Sequence, residues 1–381
     1  MSLRSADEHD TAPLPERYWR QQAHLVAPAG GDRAEKALTR GTSSAARLLA
    51  EVDISEDALA ERLGVVPDLV ARALAEPSPS PVVVLDGEDG VAPTAEARLA
   101  AAEAAGAVMR QTPAAEGQLR FFRPVGARDP HAEQAVAGFL QALGDGACDG
   151  LVLPKVESPE EVVWAADLLD RHEAASSPQR SPMRLGVMVE SAKGQLSLGD
   201  TLSVRKDRLC CVIVGFVDYA ADLGLMGELD DHPQVDALRQ WVTAHTTLAG
   251  IPAIDGMTLA FPVADHSWPR EKRRGFILDR IALVFQQARA AMHGGMRGKW
   301  VGHPLQLLAV LLAFADAYSP ERIEEALAEA GLYTEAASGG RGVDLIGTAM
   351  SDAATDARVR RYLQDARLMG YLEAAGPGAA P

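Results

Sequence analysis

Short apolar runs recur along the chain, each followed by a stretch long enough to be a helix. Residues 82–86 (VVVLD), 150–155 (GLVLPK), 184–190 (RLGVMVE) and 210–215 (CCVIVG) are nearly continuous in apolar residues, whereas 118–123 (QLRFFR) alternates. Weaker runs at 24–27, 253–260 and 299–303 complete a set of eight predicted strands. Helix-sized stretches at 95–109, 131–143, 159–174, 235–248 and 276–292 separate most of them. A strand without alternation is buried on both faces, as in a parallel sheet covered by helices. Eight such repeats over roughly 290 residues predict an α/β fold, a (β/α)8 TIM barrel, whose usual size is about 250 residues. A doubly wound open sheet is the competing fold, but it would place a Gly-rich turn after its first strand. Only PAGG at 28–31 stands there.

Residues 41–80 are too many for a βα connection of about 2–6 residues and read as a helical insertion after strand one. The barrel is expected over 21–312. Residues 1–20, polar and interrupted by proline, read as an N-terminal arm that docks late or stays mobile. A C-terminal helical segment is expected over 313–373, where Ser319 and Pro320 open a helix. Residues 374–381 hold only Ala, Gly and Pro and read as a disordered tail.

Charge narrows the possible partners. With 37 Lys and Arg against 53 Asp and Glu, the formal net charge is −16, and such a surface repels nucleic-acid backbone and anionic lipid. No apolar run reaches the ~18 residues of a membrane span, and three cysteines (Cys148, Cys210, Cys211) make no disulfide framework. A cytoplasmic protein without nucleic-acid or membrane partners is expected. One stretch points elsewhere: 54–76 (ISEDALAERLGVVPDLVARALAE) has the look of a DNA-binding helix-turn-helix. Its reading helix would offer Asp68, Leu69, Ala71 and Arg72, one cation against one acid, which suits a packing helix pair better.

In a barrel of this kind the working residues stand at the carboxyl ends of the strands. Those ends carry Asp86, Glu88 and Asp89, then Arg120 and Arg123, Lys155 and Glu157, Glu190, Asp218, Asp255 and His303. Glu190 and Asp218 each follow a strongly apolar run, so their carboxylates can converge on one hard cation such as Mg²⁺, which keeps few protein ligands. Two solvated strand-end acids, or a Glu190–Lys193 pair, are the alternative. Arg120 alternates with Leu119 and Phe121 and can point into the barrel, to meet an anionic substrate or a structural acid. Arg123, before Pro124, reads as a loop residue. Lys155 can serve as a Schiff-base nucleophile if desolvated, although an ion pair with Glu157 is the simpler account. His303 is an acid–base candidate or a packed, hydrogen-bonded residue.

The motifs LDGEDGVAP at 85–93, LVLPKVES at 151–158, VMVESAKG at 187–194 and VGFVDYAADLG at 214–224 resemble the citrate lyase β-subunit-like, or HpcH/HpaI aldolase, family. AIDGM at 253–257, GKWVGHPLQL at 298–307 and LVAPAGGDRAEKAL at 25–38 extend the resemblance in order. The resemblance implies Mg²⁺, with Mn²⁺ the alternative, on Glu190 and Asp218. It implies Arg120 on the substrate carboxylate or enolate oxygen, and the Asp86, Glu88 and Asp89 cluster beside it. Lys155, together with a basic pocket of Arg33, Lys36 and Arg40, would contact substrate or coenzyme A phosphates. The implied activity is a carbon–carbon lyase, or its reverse condensation, on a 2-oxo acid or 3-hydroxyacyl-CoA-type substrate, in a homo-oligomer (trimer or hexamer). Candidates for the general base are His303, an acid of the 86–89 cluster, a water, or an acid such as Asp352 from a neighbouring subunit. An acyl-CoA synthase or thioesterase on the same site is one alternative. The other is a non-catalytic regulator using the 54–76 helices.

Overall fold

The computed structural model describes residues 13–75, 78, 80–175, 181–339, 343–346 and 349–373. Eight parallel strands close into a barrel: β1 (Ala23–Pro28), β2 (Val82–Asp86), β3 (Leu119–Arg123), β4 (Gly150–Leu153), β5 (Arg184–Val189), β6 (Leu209–Val214), β7 (Ala253–Asp255) and β8 (Gly298–Val301). Pairing of His24 with Trp300 joins β1 to β8 and closes the ring. The TIM barrel expected from the sequence is therefore present. Its β7 is much shorter than the apolar run 253–260, because the chain leaves the sheet at Gly256, where any Cβ would strike the Phe216 ring.

Helix α1 (Gly31–Glu51) follows β1 and is kinked at Gly41, whose φ of 44° lies outside the helical region. Next come α2 (Glu56–Leu63) and α3 (Pro67–Ala75), the helix pair within the predicted insertion. The Ser55 hydroxyl caps α2 by accepting the Ala58 amide at 3.2 Å. Both helices pack inward on the barrel's own outer layer: α2 against α10 and α3 against α11, defined below. Arg72 pairs with Asp68 one turn back, at 3.1 Å. This is the packing pair favoured by the charge argument.

The remaining outer helices are α4 (Ala95–Gln111), α5 (Ala132–Leu143), α6 (Pro159–Ala174), α7 (Ala192–Thr201), α8 (Phe216–Leu223), α9 (Pro233–Ala249), α10 (Arg270–His293) and α11 (Pro304–Ala317). Beyond them α12 (Pro320–Ser338) leads through an antiparallel hairpin, β9 (Val343–Ile346) with β10 (Ala349–Asp352), to α13 (Ala353–Leu368). The C-terminal helical segment expected from the sequence is present as α12 and α13, with the hairpin between them.

Two apolar cores follow from strands buried on both faces. Inside the barrel, Val82, Val84, Leu119, Phe121, Met188, Ile213, Ile254 and Trp300 fill the axis, while Phe122, Leu151, Val187 and Val212 face the helices. His24 lies within the inner core, fully buried and stacked on Trp300 at 5.9 Å, and among the described residues neither ring nitrogen has a hydrogen-bond partner.

Part of the predicted N-terminal arm is docked. Residues 1–12 lie outside the described residues, as does the predicted tail 374–381. Residues 16–19, however, form a short 3-10 helix whose Tyr18 joins the inner core. Its neighbour Arg17 pairs with Asp149. The C-terminal helix also returns to the amino-terminal end of the barrel: Asp365 pairs with Arg297, and the Met369 carbonyl accepts Gln22 Nε2 at 3.1 Å. The carboxyl ends of the strands form the mouth. Among the described residues no helix is long and apolar enough to cross a membrane.

Candidate active site

The register of β2 on β3 places Asp86 beside Arg123. The guanidinium grips the Asp86 carboxylate in two-pronged fashion, Nε to Oδ1 and Nη2 to Oδ2, each at 2.8 Å. Asp86 also accepts the backbone amides of Glu88 (3.0 Å) and Gly90 (2.8 Å), so the turn after β2 wraps around it. That turn holds Glu88 and Asp89 at 3.4 and 3.3 Å from Arg123. Burial opposes the Arg123 charge, but the hydrogen bonds and field of Asp86, with Glu88 and Asp89, outweigh it and raise its pKa.

Lys155, just beyond β4, has φ 54°, a left-handed conformation that non-glycine residues seldom adopt. Its amide donates to Glu190 Oε2 at 2.7 Å. Its ammonium lies 2.9 Å from Glu88 Oε1, 3.7 Å from Asp89 and 3.6 Å from Asp218. One residue thus links both acids proposed for the metal to the Arg123 cluster.

Glu190 stands at the end of β5 and is only 4% exposed. Burial first, and then the like charges of Glu88 and Asp218, push its pKa up to about 8, against the opposing pull of Arg123. Glycine is required at Gly215, where β6 ends, because any Cβ would overlap the Glu190 side chain. The first turn of α8 then carries Asp218 to the same side of the mouth. Two carboxylates, completed by water and substrate oxygens, are a donor set that suits Mg²⁺ or Mn²⁺. Among the described residues no group of three or more His, Cys, Asp or Glu is arranged to hold a metal ion.

A cavity of about 310 Å³ at the mouth is lined by Glu88, Arg98, Val125, Gly126, Arg128, Asp129 and Lys155. A larger one, about 680 Å³, opens at the opposite end of the barrel beside Tyr18, Cys148 and Met183. The ionised cluster and the carboxyl strand ends favour the smaller.

Several sequence expectations change. Arg120 does not enter the barrel: Leu119, Phe121 and Arg123 face inward, and Arg120 points outward with Phe122. Its guanidinium is spent on the Gln118 side chain (2.9 Å) and the carbonyls of Thr112 and Pro113 (both 2.6 Å). Arg123, read from the sequence as a loop residue, takes the place expected for Arg120. Asp86 is saturated by two guanidinium bonds and two amides, so it anchors Arg123 and has no lone pair free for a base. Lys155 pairs with Glu88 and not with Glu157, which meets Arg128 and Lys193 instead. Burial disfavours the Lys155 charge, but its bond to Glu88 and the fields of Glu88, Asp89 and Asp218 outweigh that and raise its pKa. A cation so held is a poor Schiff-base amine.

His303 caps α11, its Nδ1 accepting the Leu305 amide at 3.2 Å, and burial lowers its pKa. Arg33 and Lys36 stand exposed on the first turns of α1, Lys36 3.6 Å from Asp32, outside the cluster around Arg123. Asp255 faces the helices, paired with Lys299 at 2.6 Å and Arg239 at 2.8 Å. Asp352 accepts the amides of Ala354 and Thr355 as the cap of α13. Sequence reasoning overlooked Gly215, for which the signal was a glycine between a strand and the acid three residues on.

The profile of the HpcH/HpaI aldolase/citrate lyase family matches residues 74–272. A mitochondrial citramalyl-CoA lyase of Mus musculus is 30% identical over 200 residues, 51% of this chain and 52% of the relative. The chain thus spans about half the length of that relative. A citrate lyase from Burkholderia xenovorans LB400 superposes with a TM-score of 0.62 at 17% identity, over 92% of each chain. The CitE protein of Mycobacterium tuberculosis, solved with magnesium, acetoacetate and coenzyme A, gives a TM-score of 0.55 at 22% identity, over 92% of this chain and 99% of that one. At those identities the two structures speak to the fold alone.

Proposed function

The chain belongs to the HpcH/HpaI aldolase/citrate lyase family, and on that premise we propose that it is a metal-dependent carbon–carbon lyase acting on a 3-hydroxyacyl coenzyme A thioester, or catalysing the reverse condensation with a 2-oxo acid. The observation that carries the reading is the grouping of Arg123, Lys155, Glu88, Glu190 and Asp218 at one barrel mouth. The likeness to a citramalyl-CoA lyase supports the substrate class.

Glu190 and Asp218 are the residues that would hold Mg²⁺, or Mn²⁺ in its place. When bound there, the ion supplies positive charge to a substrate carboxylate and the neighbouring oxygen. Cleavage removes the proton of the hydroxyl, turns that carbon into the carbonyl of the 2-oxo acid, and leaves the bonding electron pair on the thioester fragment as an enolate. Protonation at carbon completes the acyl thioester. Arg123, fixed by Asp86 before substrate arrives, presents its remaining guanidinium edge to developing negative charge without reorganisation, a large catalytic term. Lys155 keeps Glu88 and Asp218 from repelling one another and holds the Glu190 carboxylate through its amide.

Glu88 is the acid best suited to receive the hydroxyl proton. Burial raises its pKa, and among the described residues its Oε2, 3.4 Å from Arg123 Nη1, accepts no hydrogen bond. The base candidates His303 and Asp86 are engaged elsewhere.

The test is a mass-spectrometric screen of the protein with Mg²⁺, with and without chelator, offering acetyl-CoA and a panel of 2-oxo acids in one arm and 3-hydroxyacyl-CoA thioesters in the other. A new acyl-CoA adduct that disappears with chelator supports the lyase. Release of free thiol in place of an adduct would identify a synthase or thioesterase. No metal-dependent reaction in either direction would sink the proposal.

A further inference from the structure

The mouth is built in two unlike halves. The ends of β2 to β6 carry the charged cluster around Arg123, whereas Asp255 of β7 and Lys299 of β8 pair with each other on the face toward the helices. Inside the barrel, the side chains that β7, β8 and β1 offer to the mouth are apolar: Trp300 in β8 and Val26 in β1 belong to or pack on the inner core, and so does Met257 just beyond β7. The halves meet at Arg123, whose guanidinium lies 5.8 Å from the centre of the Trp300 ring, with Nη1 3.9 Å from the Met188 sulfur.

Gly302 extends the apolar half outward. A Cβ built there would lie 3.0 Å from both Sδ and Cε of Met257 and from the Phe261 ring, so the absence of a side chain lets both residues lie against the end of β8. The arrangement is pinned. Fully buried Gln306 accepts the Gly302 amide at 3.0 Å and donates to the Thr258 carbonyl at 2.9 Å, tying the loop after β7 to the loop after β8. Thr258 is held again by Gln287 at 2.5 Å. Phe261 is nonetheless 39% exposed, a large apolar ring left uncovered at the rim of a charged site.

Resting on the lyase reading, we propose that Met257, Phe261 and Trp300 form a specificity wall that takes an alkyl group on the carbonyl carbon of the 2-oxo acid. The substrate class is then a 2-oxo acid with a short carbon chain, in preference to glyoxylate, which has only hydrogen at that position. A hydrogen facing this wall would leave apolar surface wet, whereas a methyl or ethyl group covers it. Arg123, with the cation that Glu190 and Asp218 would hold, takes the carboxylate end of the same molecule.

The test compares glyoxylate, pyruvate and 2-oxobutyrate as acceptors of acetyl-CoA with the full chain and Mg²⁺, and measures binding of each acid by calorimetry. One methyl group in an apolar pocket is worth about tenfold or more in kcat/KM, so pyruvate or 2-oxobutyrate should exceed glyoxylate by at least that factor. Met257→Ala and Phe261→Ala should each move the ratio of 2-oxobutyrate to pyruvate several-fold toward the larger acid, while Phe261→Leu stays near the parent. Turnover with equal or better use of glyoxylate would overturn the wall and leave the lyase reading standing. Selective binding of the alkyl acids without any turnover would uphold the wall and sink the lyase reading. A uniform loss across all acceptors in both alanine variants would also overturn the wall.

Discussion

Replacing His24 by leucine removes one titrating group from the centre of the barrel. In the native protein the imidazole is fully buried, and among the described residues neither nitrogen has a hydrogen bond. Burial alone drives its pKa from 6.5 down to about 3. The folded state therefore keeps this side chain neutral between about pH 6.5 and 3, while the unfolded chain takes up a proton there. Because the unfolded state binds more protons, the contribution is fully present above pH 6.5 and is lost as pH falls toward 3. With those two values, protonation of the unfolded state at pH 5 removes about 2 kcal/mol of stability relative to pH 7.

The assay is urea unfolding followed by circular dichroism at pH 7 and pH 5, for the native chain and for His24→Leu. Carboxylates shared by both proteins cancel in the comparison, leaving the histidine. The native chain should lose about 2 kcal/mol more than the variant between the two conditions. At pH 7 the variant should be as stable as the parent or more so, since an apolar group replaces two unpaired polar atoms. Equal pH sensitivity in the two proteins would mean that His24 has hydrogen-bonding partners or solvent access, and the reasoning would fail.

Further expectations concern the mouth. Arg123→Lys should lower kcat about a hundredfold or more, since an ammonium cannot make the two-pronged contact with Asp86 and still face substrate. Arg120→Lys should instead lower the urea midpoint, leaving kcat within a few-fold. The opposite pattern in steady-state kinetics and unfolding would return the role to Arg120. Glu190→Gln and Asp218→Asn should each abolish Mg²⁺ binding in calorimetry and metal-dependent turnover, with circular dichroism unchanged, and retained metal affinity in both would move the site elsewhere. Gly215→Ala should cut turnover at least tenfold by displacing Glu190. Full activity would show that the carboxylate does not need its observed position.

Much of the architecture was legible without coordinates because burial leaves a direct imprint on sequence. Strands covered on both faces read as the unbroken runs VVVLD and CVIVG, and helices fill the spaces between them, so the barrel follows from composition and spacing. Since such a barrel gathers its strand ends at one rim, Asp86, Glu88, Asp89, Lys155, Glu190 and Asp218 could be named together as candidates. The same double burial conceals which way a strand faces. In LRFFR both faces are buried, so no polar alternation distinguishes Arg120 from Arg123. Only the register with β2, which sets Asp86 against Arg123, decides it. Partner choice was equally hidden, because Lys155 meets Glu88 and Asp218 across 67 and 63 positions of chain while Glu157 lies two residues away. Docking of Tyr18 into the barrel, the room Gly215 leaves for Glu190 and the apolar wall over Gly302 are likewise contacts between distant segments. Local propensity and hydrophobic pattern determine which elements form; which side chains meet depends on how the closed sheet brings remote strands together.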